Sequence, residues 1–461
     1  MGILGAFVVP HPPLIIPEVG KGQERGIQKT IDAYQTVAER IGELCPETIV
    51  MISSHQVMYA NYFHVSPGEG AKGDFGRFGV GQVSFSVAYD TEFVRQFTSL
   101  AQEEKLPAGT DGETDCQLDH GTMVPLYFVN QQWNQYRLVR IGLSGLSLMK
   151  HYEVGQCIQK AAERLGRKIV VIASGDLSHC LKEDGPYGFK KEGPEYDRQV
   201  MDALKKGDFG SLLDFPEELC NKAGECGHRT LVMMAGTLDR MRAKVRCLSY
   251  EGPFGVGYGV CEYISEGRQP DRNFKELHEE KERARVREQI EKQDTYVALA
   301  RRTIDEYART GKVLEAPKGL LEEMYQKRGG VFVSIKENGS LRGCIGTIEP
   351  AEASLALEII HNAISASARD PRFSPIEPEE LDRLTITVDV IGPVEPVDSP
   401  DKLDVKRYGI IVSREGNRGL LLPDLDGVDT VQEQIEIAKR KAGIGENEEV
   451  ALERFEVERH F

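Results

Sequence analysis

The sequence predicts an α/β domain with a central, largely buried sheet and flanking helices, followed by an α+β domain. Three observations carry this expectation. The chain has 461 residues, and one domain usually takes ~100–200, so two or three domains are expected. Short β-branched runs alternate with longer helical patterns up to about residue 265, and that regularity is lost afterwards. Between the two parts, residues 266–294 read EGRQPDRNFKELHEEKERARVREQIEKQD. Gly, Pro and dense mixed charge bury little, so this stretch reads as a linker running into a solvated helix. The boundaries are therefore drawn at 1–265, 266–292 and 293–461.

In the first part the strands are expected at 3–9, 48–53, 138–143, 168–173 and 256–264, all apolar, β-branched runs of strand length. Helical stretches lie between or beside them near 22–44, 91–104, 151–165, 195–206 and 229–240. The second part opens with a helix at 295–310. A hairpin signal follows, 331–336 and 341–348, turning at Glu337-Asn338-Gly339. A helix at 353–368, strands at 384–391 and 409–413 and a late helix at 430–442 complete it. The irregular order favours α+β.

Composition narrows the function. Hydrophobic residues make up 40% and charged residues 28%, ordinary for a soluble globular protein. Fifty-seven Lys and Arg against 73 Asp and Glu give a net charge of −16, which argues against a nucleic-acid partner, since that affinity is mostly electrostatic. No apolar run approaches the ~18 residues of a membrane span. The first 16 residues are apolar but lack a basic region and are broken by Pro10, His11, Pro12 and Pro13, a poor signal peptide. Nine cysteines without CxxC spacing point to reduced thiols and a cytoplasmic location.

Seven of the ten histidines and eight of the nine cysteines precede residue 265. His11 follows ILGAFVVP, His55 follows IVMISS and His179 follows IVVIASGDLS, each just past an expected strand. Ligands of open α/β sheets collect beyond the carboxyl ends of the strands, so these imidazoles can converge. His120, in LDHGTMVPL, sits where a loop enters a helix, and Glu225 lies in GECGHRTL before another. Two imidazoles and a carboxylate on one metal leave open positions, as in non-haem Fe(II) oxygenases. The same donors can hold zinc with a water, which favours hydrolysis. Cys226 beside Glu225 is a credible soft ligand, although most lone cysteines are buried small hydrophobes. His64 and His151 lack the strand-end context and read as surface residues. His228 reads equally as a near-site residue or a helix-start cap.

These pieces, VVPHPPLI, MISSHQ, LDHGTMVPL, SGDLSH and GECGHR, occur in order across residues 1 to about 265. In this the first part resembles the catalytic subunit of class III extradiol ring-cleavage dioxygenases, including their Memo-type branch. The resemblance implies Fe(II) held by His11, His55 and Glu225, with Cys226 as the alternative third ligand, and a small catechol-like aromatic as substrate. It implies His179 as the acid/base, suited to that work by an ordinary imidazole pKa near ~6.5. His120 would hydrogen-bond dioxygen or the substrate oxygens. A homodimer is a further implication.

Residues from about 290 to 461 contain LRGCIGT at 341–347, preceded by GGVFVSI and followed by ARDPRFSPI, YGIIVSREGNRGLLLPD and DTVQEQIEIAKRKAGI. This part resembles the AMMECR-type domain. The fusion is similar to systems that also contain a radical S-adenosylmethionine (SAM) protein, a possible partner. Cys344, between Gly343 and Gly346, is a candidate catalytic thiol if a base or cation lowers its pKa. Arg342 would hold an anion, and His361 or Asp370 would orient a base. The alternative is a buried cysteine in a strand–turn that needs small residues.

Three functions follow as expectations. The first is an Fe(II) extradiol dioxygenase. The second is an oxygen-independent or hydrolytic metalloenzyme acting with the radical SAM protein. The third is a metal-binding adaptor.

Overall fold

The computed structural model describes every residue except Met1, Asp115, Asn338 and Asp426. The chain forms two compact units, Met1–His278 and Glu279–Phe461. The strands of the first are β1 (Ile3–Val9), β2 (Thr48–Ser53), β3 (Phe63–His64), β4 (Gly70–Phe75), β5 (Val80–Ala88), β6 (Ala108–Gly109), β7 (Arg137–Ile141), β8 (Ile169–Ser174), β9 (Met241–Glu251) and β10 (Tyr258–Arg268). Six of them form one sheet in the order β7-β2-β8-β1-β10-β9. The first four are parallel, and β10 and β9 extend the sheet antiparallel.

Every residue of β2 and β8 is buried, so both read as continuous apolar runs rather than alternating ones. Alternate side chains serve opposite faces. Val50, Ile52 and Val171 join a core with helices Thr91–Glu103, Leu148–Leu165 and His228–Thr237. Ile49, Met51 and Ile172 join one with helices Gln28–Leu44 and His120–Val129. The expected α/β class with a buried central sheet is what this unit has.

The expectation omitted β4, β5 and β9, and the two-residue strands β3 and β6. In β5 and β9 partly or fully exposed residues alternate with less exposed ones, so neither forms an apolar run. The first long helix begins at Gln28 rather than 22, after a 3-10 turn at Gln23–Ile27. Two other expectations need correction. Cys247 and Cys261 form a disulfide between neighbouring β9 and β10, with Cα atoms 4.0 Å apart. Sheet register, not local spacing, brings them together, so the absence of CxxC could not exclude it. His64 and His151 are buried rather than superficial. His151 Nδ1 lies 2.9 Å from the Ser147 carbonyl, and its Nε2 accepts from Ser144 N, so the neutral ring is satisfied inside. No helix among the described residues is long and apolar enough to cross a membrane.

The second unit is α+β, as expected. Its strands are β11 (Val331–Glu337), β12 (Ser340–Gly346), β13 (Leu384–Ile391), β14 (Glu395–Val397), β15 (Gly409–Arg414), β16 (Asn417–Leu421), β17 (Ala451–Phe455) and β18 (Val457–His460). They form two four-stranded sheets, β12-β11-β13-β18 and β14-β17-β15-β16. Of the expected hairpin turn, Asn338 lies outside the described residues, while Gly339 takes φ +78°. Asp294 caps helix Thr295–Thr310 through Tyr296 N and Val297 N and holds His460 Nδ1 at 2.5 Å.

Candidate metal centre

Strands β2, β8 and β1 are adjacent and parallel, so their carboxyl ends open on one place. Pro10, which has no amide to donate, follows β1 and leads into His11. The backbone there is held twice, by Tyr34 Oη donating to the Pro10 carbonyl and by His11 N donating to Asp176 Oδ1 at 2.8 Å. His55 lies two residues past β2, with its N–H on Ser53 Oγ at 3.2 Å. Two close approaches complete the frame. A Cβ on Gly175 would stand 2.4 Å from Gly227 Cα, and one on Gly121 would stand 2.5 Å from Ser53 Oγ. Only glycine lets these segments bring Cys226 and His120 in so tightly.

His11 Nε2 and His55 Nε2 are 3.0 Å apart, and Cys226 Sγ is 3.6 Å from His11 Nε2. These three donor atoms all lie within 4.8 Å of one another. The His120 ring centroid is 4.0 Å from that of His55 and 5.4 Å from that of His11. The tautomer of His11 follows from its neighbour. Ser174 Oγ donates its one proton to the Gly121 carbonyl at 2.5 Å, so it accepts from His11 Nδ1 at 3.0 Å. The lone pair of His11 is left on Nε2, facing the cluster. Burial, then the neighbouring His55, pushes the His11 pKa down to about 3, so the ring is neutral and able to ligate.

Glu225 is not part of this group. Its Oε2 accepts from His228 N at 2.5 Å, at the start of helix His228–Thr237, and burial raises its pKa to about 7. Of the two expected third ligands, only the Cys226 sulfur is brought to His11 and His55. The carboxylate caps a helix, and the next residue, Cys226, brings its sulfur to the histidines. His228, buried between Tyr196 Oη and the Leu212 carbonyl, is a structural residue. His179 stands at the same carboxyl edge and donates through Nδ1 to the Gly224 carbonyl, so Nε2 is the ring nitrogen that this bond leaves over.

Sequence reasoning missed several residues around the cluster. Asp119 caps helix His120–Val129 through Thr122 N, accepts from Ser53 Oγ at 2.6 Å and forms an almost fully buried ion pair with Arg140 at 2.9 Å. Ser53 thus joins that pair to the His55 backbone. Asp119 is also the N-cap signal of LDHGT, which was legible as helix-start chemistry. Ser54 Oγ is buried with no hydrogen-bond partner, yet stands where it favours a charged Cys226 sulfur. Burial pushes the Cys226 thiol pKa up, so a cation is needed to hold the thiolate. A neutral imidazole pair, a thiol that wants a cation and an unused hydroxyl beside it fit a bound metal ion.

In the second unit, Cys344 lies on β12. Ser334 Oγ is 3.2 Å from its sulfur, and its amide donates to Asp370 Oδ2 at 2.9 Å. Burial raises its pKa, and Arg372 is tied to Asp370 at 2.6 Å. Arg342, expected to hold an anion, already grips Glu380 through two bonds of 2.7 and 3.1 Å. His361 pairs with Glu352 rather than with the thiol.

The comparisons with known proteins divide along the same lines. A family model described as the catalytic LigB subunit of aromatic ring-opening dioxygenase matches residues 5–261, and one described as AMMECR1 matches 297–460. A protein of Clostridium acetobutylicum is 39% identical over 474 residues, covering 100% of this chain and 99% of its own length. A Thermotoga maritima protein is 52% identical over 167 residues, 36% of this chain and 96% of its own. Among solved structures, an uncharacterized Pyrococcus horikoshii protein has 34% identity and a TM-score of 0.34, covering 36% of this chain and 88% of that one. An uncharacterized Escherichia coli K12 protein has 15% identity and a TM-score of 0.38, covering 56% and 99%.

Proposed function

Because the chain belongs to the family of the catalytic LigB subunit of aromatic ring-opening dioxygenases, with an AMMECR1 domain following in the same chain, we propose a metal-dependent dioxygenase-type enzyme that opens or modifies a catechol-like aromatic. The observation that carries the reading is the gathering of His11, His55 and Cys226 at the carboxyl edge of the parallel strands. Fe(II) held by these residues would supply Lewis acidity and the redox capacity that dioxygen chemistry requires.

The chain's own residues would do the rest. With Nδ1–H spent on Gly224, His179 presents Nε2 to take a proton from a phenolic hydroxyl and later return it, work worth ~10²–10⁴-fold in rate. His120 is kept neutral, its pKa lowered to about 3 by burial and the adjacent His55. It can therefore hydrogen-bond a substrate oxygen without adding a repelling charge. The Asp119–Arg140 pair and Ser53 hold the His55 and His120 segments in register.

The test is metal analysis of anaerobically purified protein, followed by oxygen uptake with a catechol panel. Near-stoichiometric iron and ring-opened product are expected, with turnover lost in His179→Ala. Iron-loaded protein that consumes no oxygen with any catechol would refute the reading. One observation favours a second reading. A thiolate in place of a carboxylate is a softer donor, which suits zinc and oxygen-independent or hydrolytic chemistry. Turnover that persists without oxygen would select it.

A further inference from the structure

The end of strand β9 ties together two of the segments that build the metal centre. Glu251 Oε1 accepts from Thr30 N and from Thr30 Oγ1, both at 2.7 Å. Thr30 lies in the first turn of helix Gln28–Leu44, where amides lack a partner within the helix. One turn further on, Tyr34 donates to the Pro10 carbonyl beside His11. Tyr250, next to Glu251, donates through Oη to Asp197 Oδ2 at 2.7 Å, and Asp197 Oδ1 accepts from Ser178 N at 2.8 Å, beside His179. The last two residues of β9 therefore support both the His11 and the His179 segments.

The ladder that carries this end is broken beside it. β9 is the last strand of its sheet and, among the described residues, pairs with β10 alone. Val260 faces Ser249 but Cys261 faces Cys247, which leaves Leu248 as the extra residue of a bulge. The Cys247–Cys261 disulfide crosses the ladder at that break. Cys261 is fully buried and pairs on its other side with Val8 of β1, the strand that leads to His11. Cys247 is partly exposed, so a thiol can reach its sulfur. The first unit already buries two large apolar cores, and a unit of that size needs no staple to fold. The other seven cysteines are free, Cys45 and Cys116 among them exposed. One reachable bridge among free thiols, set where a strand end supports a site, is the pattern of a redox-responsive element rather than of a disulfide framework.

We propose that the Cys247–Cys261 bridge is a reversible redox brace, which when closed fixes the end of β9 under the His11 and His179 segments and when opened by a dithiol loosens both. A thiolate of the reductant attacks the Cys247 sulfur, and the electron pair of the broken S–S bond leaves on Cys261. The reductant's second thiol then closes its own disulfide and releases Cys247, so the protein gains the two thiols, with their protons, that the reductant loses. The test follows the full chain, free of added metal, after equilibration with dithiothreitol or with oxidised glutathione. Differential alkylation with mass spectrometry should show the bridge opening and reclosing while the far-UV circular dichroism stays unchanged. The bridge joins residues 14 apart, a span over which a disulfide shifts an opening equilibrium by up to ~10²-fold. Reduction should therefore speed hydrogen exchange at the Thr30 and Ser178 amides by roughly 10- to 10²-fold. It should also weaken Co(II) binding, read by optical titration, roughly tenfold, the scale of lost support behind metal ligands. In Tyr250→Phe, the Ser178 amide should exchange fast in both states while Thr30 still responds. A bridge that dithiothreitol cannot open in the folded chain, or a fold lost on reduction, would make it a plain staple and overturn the proposal. Equal exchange at Thr30 and Ser178 in the two states, or an unchanged Co(II) affinity, overturns it as well. None of these readouts involves dioxygen or a catechol, so the outcome is independent of the ring-opening reading.

Discussion

Replacing Cys226 with alanine and, separately, Glu225 with glutamine discriminates the two third ligands that the sequence left open. In the structure only the sulfur faces His11 Nε2, at 3.6 Å, while the carboxylate faces His228 N at 2.5 Å. Metal binding by four-ligand structural zinc sites is worth about 10–16 kcal/mol. An even division gives roughly 2.5–4 kcal/mol per donor, about 10²- to 10³-fold in Kd. Cys226→Ala should weaken metal binding by that factor, and His11→Ala should do likewise. Glu225→Gln keeps an oxygen for His228 N, so its metal affinity should stay far closer to wild type than that of Cys226→Ala. Chelator competition followed by elemental mass spectrometry on anaerobically purified protein measures all three. Metal retained in Cys226→Ala but lost in Glu225→Gln would refute the geometry and restore the carboxylate ligand.

Other outcomes follow from the same structure. His179→Gln should lower turnover by ~10²–10⁴-fold with metal content unchanged, and loss of metal instead would make His179 a ligand. Asp119→Asn leaves the buried Arg140 without its counter-charge and should cost roughly 3–5 kcal/mol of stability in urea unfolding. A cost under about 1 kcal/mol would mean the pair is wetter than it looks. His151 is fully buried and its pKa is held down to about 3 by burial, against 6.5 when unfolded. The unfolded chain therefore binds the extra proton below pH 6.5, and stability on the order of 4 kcal/mol is lost as pH falls from there toward 3. His151→Gln should flatten that acid limb, and an unchanged pH profile would refute the assignment. Burial raises the Cys344 pKa while Cys45 and Cys116 are exposed, so iodoacetamide should label those two before Cys344 at neutral pH. Fastest labelling at Cys344 would revive the catalytic thiol.

How much of this was legible in the sequence depends on what fixes each feature. Strands β1, β2 and β8 are buried on both faces and announce themselves as apolar runs. The residues at their carboxyl ends could therefore be placed in one crevice from text alone, and His11 and His55 meet there. The hairpin β4–β5 was not legible, because its strands carry no continuous apolar run and its tip is a short 3-10 turn. The third ligand hung on a single residue. Text shows that Glu225 and Cys226 are adjacent, but not which of them faces the sheet. That orientation is set by Gly227 meeting Gly175, from a segment about 50 residues away, and by the nearby amide of His228 taking the carboxylate. Buried His64 and His151 were misread for a related reason. A histidine whose neutral ring finds backbone partners carries no sequence signal of its burial.

The charge balance of the centre connects its donors to its substrate. His11 and His120 are both held neutral by burial, and the Asp119 carboxylate is matched by Arg140. A divalent cation bound by two neutral imidazoles and one thiolate would leave one net positive charge. With a carboxylate as ligand the count would be the same, but the sulfur is the softer, more weakly polar donor. What differs is the surroundings. Acid residues outnumber basic ones across the chain, so an anionic substrate approaches against the long-range field. That field is screened beyond ~8 Å at physiological ionic strength, so a charge held at the centre would act only at close range. Any preference for a carboxylated catechol would therefore have to arise at contact rather than by steering. Raising salt from low to physiological strength should then speed, or leave unchanged, the association of 3,4-dihydroxybenzoate. A steep slowing with salt in stopped-flow traces would mean that a positive field extends well beyond the site and that the local account is wrong.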